Sequence, residues 1–160
     1  MYHPNFDNNF INMSKTKKVG KNESITEQNA PGIDIEKYKD LYNAAENGND
    51  NAQFKLASLY HNGKGIEKNL EKAFYWYQKA AENGYNAAQY ILSTLYKEGK
   101  GTEKNLEKSF YWCQRVAENG IKEAQCKLAS LYYNGEGTEK NLKNAFYWYQ
   151  RAAENGIKEM

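Results

Sequence analysis

The chain repeats itself every 36 residues, and that period limits its possible folds more than any other feature. Residues 44–79 read AAENGNDNAQFKLASLYHNGKGIEKNLEKAFYWYQK. Residues 80–115 read AAENGYNAAQYILSTLYKEGKGTEKNLEKSFYWCQR, and residues 116–151 read VAENGIKEAQCKLASLYYNGEGTEKNLKNAFYWYQR. A fourth copy opens with Ala152-Ala153-Glu154-Asn155-Gly156, and the sequence stops at Met160. A fixed period of this length points to a solenoid, in which each unit is one supersecondary element that buries its apolar face only against its neighbours.

Each unit is helical twice. Ala52, Leu56, Leu59 and Tyr60 fall at i, i+4, i+7 and i+8; Leu70, Ala73, Phe74, Tyr77 and Ala81 fall at i, i+3, i+4, i+7 and i+11. Each set forms one apolar stripe on a helix. The spacing predicts a helix A over about 51–62 and a helix B over about 70–82, recurring near 87–98 and 106–118, then 123–134 and 142–154.

The punctuation supports those bounds. Asn69, Asn105 and Asn141 precede helix B, where an Asn side chain accepts a bond from a free first-turn amide. Glu71 and Glu107 then sit in the first turn, favoured by the helix dipole, and Lys143 breaks the pattern. Gly84, Gly120 and Gly156 follow helix B, where a left-handed residue is wanted. Asp50 and Asn86 are the candidate caps of helix A; Lys122 cannot cap, so the third helix A is expected to start less firmly. The Gly-x-Gly pairs at 63/65, 99/101 and 135/137 follow a helix, whereas a phosphate loop follows a strand. They read as tight turns and close helix packing.

These signals divide the chain into a disordered tail, residues 1–33, and an array, residues 34–160. The tail holds both prolines and no periodicity. Its lysines, Lys15, Lys17, Lys18 and Lys21, read as solvated, and Asn12-Met13-Ser14 and Asn22-Glu23-Ser24 read as chance glycosylation patterns. The array begins with a capping helix, 34–48, in which Tyr38, Leu41, Tyr42, Ala44 and Ala45 keep the phase of helix B and Asp34 is the N-cap. Repeats over 44–79, 80–115 and 116–151 follow, then the start of a truncated fourth over 152–160.

The pattern LxSLYxxGxGxEKNLxxxFYWxQxxAENG resembles the Sel-one-like repeat, a branch of the tetratricopeptide superfamily. The matching positions are Leu59-Tyr60, Gly63, Gly65, Ala73, Trp76-Tyr77, Ala80-Ala81 and Gly84, with Ser109, Cys113 and Val116 as departures in the second copy. The resemblance covers about residues 36–156. It implies an all-α fold, a right-handed α/α superhelix of three 36-residue helix-turn-helix repeats behind an N-terminal capping helix. It also implies a non-enzymatic scaffold or adaptor that binds a protein or peptide on a concave face lined by helix A. The alternatives it raises are a regulatory fragment of a larger, kinase-associated signalling protein and a lactamase-like cysteine-rich branch. That branch carries a disulfide in each repeat bracketing the turn from helix B to helix A, a spacing that Cys113 and Cys126 lack.

Chemistry is scarce in the sequence. The two histidines are His3, in the tail, and His61, whose counterparts are Lys97 and Tyr133. All four aspartates, Asp7, Asp34, Asp40 and Asp50, lie in the first 50 residues. The recurrent Glu-Lys pairs at 67/68, 103/104 and 139/140 read as solvated loop charge. No catalytic, cofactor or metal residues are assigned. Cys113 and Cys126 stand at mostly aromatic phases and read as partly buried thiols, in keeping with a reduced, cytoplasmic protein. With 22 basic and 20 acidic residues interspersed, neither nucleic acid nor an anionic membrane is an expected partner, and no run approaches the ~18 apolar residues of a membrane span. Trp76, Trp112 and Trp148, between alanine phases, read as packing residues, each contributing ~3–5 kcal/mol. Tyr75, Tyr111 and Tyr147 lie off the stripe, as a candidate exposed ladder.

Positions that differ between copies of one template mark where packing does not dictate the residue. These are Lys55, Ile91 and Lys127; His61, Lys97 and Tyr133; Asn62, Glu98 and Asn134; and the turn positions Asn49, Tyr85 and Ile121. The expected partner surface consists of Lys55, His61, Asn62, Tyr85, Ile91, Lys97, Glu98, Lys127, Tyr133 and Asn134, with Tyr85, Ile91 and Tyr133 as apolar anchors. Helix B of the third copy, carrying Phe146, Trp148 and Tyr149, has no following helix A in the sequence, which suggests self-association or a longer array.

Overall fold

The computed structural model describes Gly32 and residues 34–158. The expectations of a disordered tail, its lysine cluster, His3 and the two glycosylation patterns fall on residues outside those described. Among the described residues seven helices follow one another: α1 (Ile35–Glu46), α2 (Asp50–Asn62), α3 (Leu70–Glu82), α4 (Asn86–Glu98), α5 (Leu106–Glu118), α6 (Lys122–Asn134) and α7 (Leu142–Lys158). No strand occurs among the described residues. Each helix packs on the next, so the chain is an all-α helical solenoid in which α2, α4 and α6 are the A helices and α1, α3, α5 and α7 the B helices.

Local chemistry sets the starts of the B helices. Asn69, Asn105 and Asn141 each accept, through Oδ1, the amide of the residue three places on, at 2.9 Å in all three copies. Asp34 caps α1 in the same way, accepting from Glu36 and Lys37. The A helices start one residue earlier than Asp50 and Asn86 suggest. Asn49 is the cap of α2, accepting from Ala52 N at 2.8 Å, and Asp50 is already helical. Tyr85 and Ile121 hold the same place before α4 and α6 and make no side-chain cap bond, so the second A helix starts as unsupported as the third. The reason lies in the preceding turn. Gly84 takes φ 90, and the amide of Tyr85 is already bonded back to Ala80 O at 3.0 Å, which fixes residue 85 as the extended cap position.

The Gly-x-Gly turns close each A–B pair. Gly63, Gly99 and Gly135 are left-handed caps whose amides bond Leu59, Leu95 and Leu131. The second glycine acts between repeats. A Cβ on Gly101 would strike the carbonyl of Leu70, and one on Gly137 that of Leu106, each in the first turn of the preceding B helix.

The core is one layer thick and repeats. Leu56, Leu92 and Leu128 are each 0% exposed, one per unit. Truncating such a leucine costs ~2–5 kcal/mol. Alanines line the contacts between neighbouring helices, at 45, 52, 81, 88, 117 and 124 among others, where only a methyl fits. Gln53, Gln89 and Gln125 are buried between them, and their Nε2 atoms donate to Ala45 O, Ala81 O and Ala117 O at 3.0, 3.0 and 3.1 Å. The last-turn carbonyls of α1, α3 and α5, which already accept the amides of Gly48, Gly84 and Gly120, thus find a second donor on the next A helix.

Three expectations are corrected. Gly156 does not break its helix: α7 runs through it to Lys158, because no A helix packs beyond α7 among the described residues to impose the turn. Cys126 is exposed, while Cys113 is buried. Of the tryptophans only Trp76 is fully buried; Trp112 and Trp148 are half-buried. Tyr42 of α1 meets Trp76 edge to face at 5.8 Å, and the residues one and two periods after Tyr42 are Gln78 and Gln114, which offer no ring.

Candidate partner-binding face

One surface of the A helices is not consumed by packing. Along α2 it carries Phe54, Ser58 and His61, along α4 Tyr90, Thr94 and Lys97, and along α6 Cys126, Ser130 and Tyr133, at i, i+4 and i+7 in each case. Lys55, Ile91 and Lys127, and Asn62, Glu98 and Asn134, flank that row. Most of the residues singled out from the sequence therefore share one face of successive A helices.

Their surroundings differ. Lys55, Asn62, Lys97, Glu98, Tyr133 and Asn134 are exposed; His61, Tyr85, Ile91 and Lys127 are half-buried. His61 meets the Tyr77 ring edge to face at 5.9 Å. Tyr85 lies at the cap of α4 rather than on the helix face, its ring 4.9 Å from Phe54, so much of its surface is spent inside the protein. Ile91 packs at the margin of the core. Lys97 pairs with Glu136 Oε2 at 2.7 Å, across from the turn that follows α6. Glu98 pairs with Lys100 at 2.7 Å, and that ammonium holds its carboxyl below the ordinary range. Lys140 lies over the Tyr133 ring at 5.4 Å, and Asn134 Nδ2 donates to Ser130 Oγ at 3.4 Å. Lys127 reaches back to α4, donating to Thr94 Oγ1 at 2.9 Å with its ammonium 4.9 Å from the Tyr90 ring centre.

Sequence reasoning missed the floor of this face. Phe54, Ser58, Tyr90 and Thr94 support the variable residues, and Ser58 Oγ lies 3.2 Å from Tyr77 Oη. A signal was present, since these positions stand seven and three residues before His61 and Lys97 and so share their side of the helix. Burial raises the Tyr77 and Tyr90 hydroxyls above the usual tyrosine range, and it pushes the Cys113 thiol up to about 11. Cys113 is thus a protonated core residue at neutral pH.

The B helices carry a second regular feature. Tyr75, Tyr111 and Tyr147 each lie under a cation one turn later, from Lys79, Arg115 and Arg151, at 5.7, 5.8 and 6.0 Å. Tyr111 and Tyr147 are exposed and Tyr75 is half-buried. Among the described residues no group of His, Cys, Asp and Glu side chains could hold a metal ion, and no helix is long and apolar enough to cross a membrane.

Comparison with known proteins gives a consistent picture. The family model described as "Sel1 repeat" matches residues 50–85, 86–121 and 122–157. Its units are as long as those read from the sequence, six residues out of phase with them. A Sel1 repeat protein of Oxalobacter formigenes is 38% identical, with a TM-score of 0.69 over 75% of this chain and 90% of that one. A protective antigen of uropathogenic Escherichia coli strains, displaying an SLR fold, is 32% identical with a TM-score of 0.70; the match covers 74% of this chain and 26% of that protein. Cysteine rich protein B of Helicobacter pylori is 25% identical with a TM-score of 0.59, over 80% of this chain and 94% of that one. No curated protein matches the chain.

Proposed function

Since the chain belongs to the Sel1 repeat family, we propose that it is a non-enzymatic scaffold or adaptor that binds a protein or peptide partner along the face formed by α2, α4 and α6. Sel1 repeat proteins are in general protein-interaction scaffolds. One observation carries the assignment of the face. The framework is buried alike in every unit, with Leu56, Leu92 and Leu128 all at 0% exposure, while the side chains at 55/91/127, 61/97/133 and 62/98/134 change from copy to copy on one side of the A helices. Residues that the fold leaves undetermined are available to be chosen for a partner.

The test compares three baits in a native lysate: the whole chain, a variant with Ala at Ile91, Lys97 and Tyr133, and a variant with Ala at Tyr111 and Tyr147. Circular dichroism checks that all three are helical. The expected result is a protein retained by the first and third baits and lost by the second. Retention by the second and loss by the third moves the partner surface to the B helices.

A second proposal concerns α7. Leu142, Phe146, Tyr149 and Ile157 are exposed there, and Phe146 is 71% exposed. Its counterparts Phe74 and Phe110 are covered by Tyr96 and Tyr132 at ring distances of 5.2 Å. A second copy of the chain pairing through this face would bury them. Sedimentation over a range of concentrations tests this, with a concentration-independent monomer as the opposing result. Nothing favours the cysteine-rich lactamase-like reading, since Cys113 and Cys126 are both free, and nothing favours the kinase-associated one.

A further inference from the structure

The charges on the A-helix face are unequally matched. Lys97 is paired with Glu136 and Glu98 with Lys100, both at 2.7 Å. Lys127 is half-buried yet takes part in none of the ion pairs among the described residues. Glu98, whose charge acts on it, is committed to Lys100, and Glu123, one turn earlier on α6, makes no ion pair with it. An ammonium has three N–H donors. Thr94 Oγ1 takes one at 2.9 Å and the Tyr90 ring, 4.9 Å away, faces the charge; no further acceptor exists among the described residues. Loss of water at this site holds the Lys127 pKa below the usual lysine range. A partly desolvated cation whose charged neighbours, Lys97 and Glu98, are each paired elsewhere is an unbalanced charge, and an anion arriving from outside would relieve it.

The neighbouring copies show that this is a local feature and not a property of the repeat. Lys55, at the same phase of α2, is exposed. Ile91, at the same phase of α4, is apolar, half-buried and packed at the margin of the core. The face thus sets an apolar ledge next to an unmatched cation. Ile91 and Thr94 lie three residues apart on α4, so their Cβ atoms are about 5–6 Å apart, a span that an extended chain covers in about two residues.

We propose that the α4–α6 junction binds an acidic peptide, a carboxylate side chain of which docks between the Lys127 ammonium and Thr94 while an apolar residue about two places away rests on Ile91. This rests on the scaffold function proposed above and names the chemical class of its partner.

The test is selection from a phage-displayed library of random peptides, using the whole chain, Lys127→Met and Lys55→Met as targets. Thermal melts confirm that the three fold alike, and Lys127→Gln, which removes the charge and keeps a polar side chain, stands in if Lys127→Met melts early. The expected result is enrichment of Asp or Glu about two places from an apolar residue, falling at least about tenfold with Lys127→Met and less than about twofold with Lys55→Met. Lys127→Arg should keep the acidic preference. Peptides enriched without acidic residues, or with an acidic preference that Lys127→Met leaves intact, overturn this inference and leave the scaffold function standing. No enrichment by the unaltered chain overturns both.

Discussion

Asn83 Nδ2 donates to Gln53 Oε1 at 3.1 Å, joining the end of α3 to the first turn of α2. Asn155 does the same for Gln125 at 2.8 Å. In the middle copy Asn119 turns instead to Asn86 Oδ1 at 2.7 Å, and Gln89 Oε1 is left buried without a partner. Asn86 stands where the other copies have Asp50 and Lys122. Replacing Asn86 by Ala should free Asn119 to complete the Gln89 clamp. Stability should rise by about 1 kcal/mol, helped by the better helix propensity of alanine. Denaturant melts of N86A and N119A check this: a gain for the first and a loss or no change for the second are expected.

The glycines separate into two classes by what surrounds them. Gly101→Ala and Gly137→Ala would drive a methyl into the carbonyls of Leu70 and Leu106 at φ 71, and each should destabilise by more than about 2 kcal/mol. Gly120→Ala meets nothing within 4 Å, so only its φ of 88 opposes the change, at about 1–2 kcal/mol. The ranking of the three unfolding midpoints is the readout.

Phe110 and Phe146 are the same residue of the template in different surroundings. Phe110 meets Tyr132 at 5.2 Å, whereas Phe146 is 71% exposed. Phe110→Glu should therefore cost about 3–5 kcal/mol or prevent folding. At concentrations where the chain is a monomer, Phe146→Glu should leave the melting temperature within a few degrees of the parent, a change of less than about 0.5 kcal/mol. Equal losses in the two variants would show that Phe146 is covered in solution.

The array should be sensitive to alkali. Burial, with Glu46 adding to it, pushes the Tyr42 hydroxyl up from 10.0 to about 12, and burial takes the Cys113 thiol from 9.0 to about 11. Burial also raises Tyr77, Tyr90 and Tyr96. The folded state holds these protons more tightly than the unfolded chain does, so the stability they contribute is present below pH 9 and drains away as pH climbs through 11 and 12. Lys127, whose pKa is lowered, acts in the opposite direction as one group against five. Melting temperatures recorded across this range should fall, and phenolate absorbance should rise together with the loss of helix.

The two thiols should differ in reactivity. Cys126 is exposed and should react with a thiol reagent in the native protein, whereas Cys113 should react only on unfolding. One equivalent before denaturation and a second after it is the expected count; two at once would mean that α5 opens readily.

Much of the architecture was legible because it is local or periodic. The B-helix caps follow from Asn69, Asn105 and Asn141, whose partners lie three residues on. The burial of Leu56, Leu92 and Leu128 follows from one stripe repeated three times. The capping helix follows from phase: Tyr38 stands where Phe74 stands one repeat later, and its hydroxyl lies 2.6 Å from that of Tyr60. The candidate face was legible only as a set of variable positions. That Lys97 faces Glu136 while Lys127 faces a ring and a hydroxyl could not be read from the helix pattern.

By itself the sequence determined the period, the succession of helices in the array, most of their bounds and caps, and the family, since each depends on residues a few places apart or on comparison of one copy with the next. Tertiary structure decided what happens where copies meet. Trp76 is buried because Tyr42 of the preceding helix covers it, and Trp112 is not because Gln78 stands in that place. Gly156 stays helical where Gly84 and Gly120 turn, and Lys127 is left with an unmatched charge by Thr94, 33 residues away. The physical reason is the same in each case. A repeat fixes its own backbone through short-range bonds, but the burial and charge balance of its surface side chains depend on which residue the adjoining copy presents.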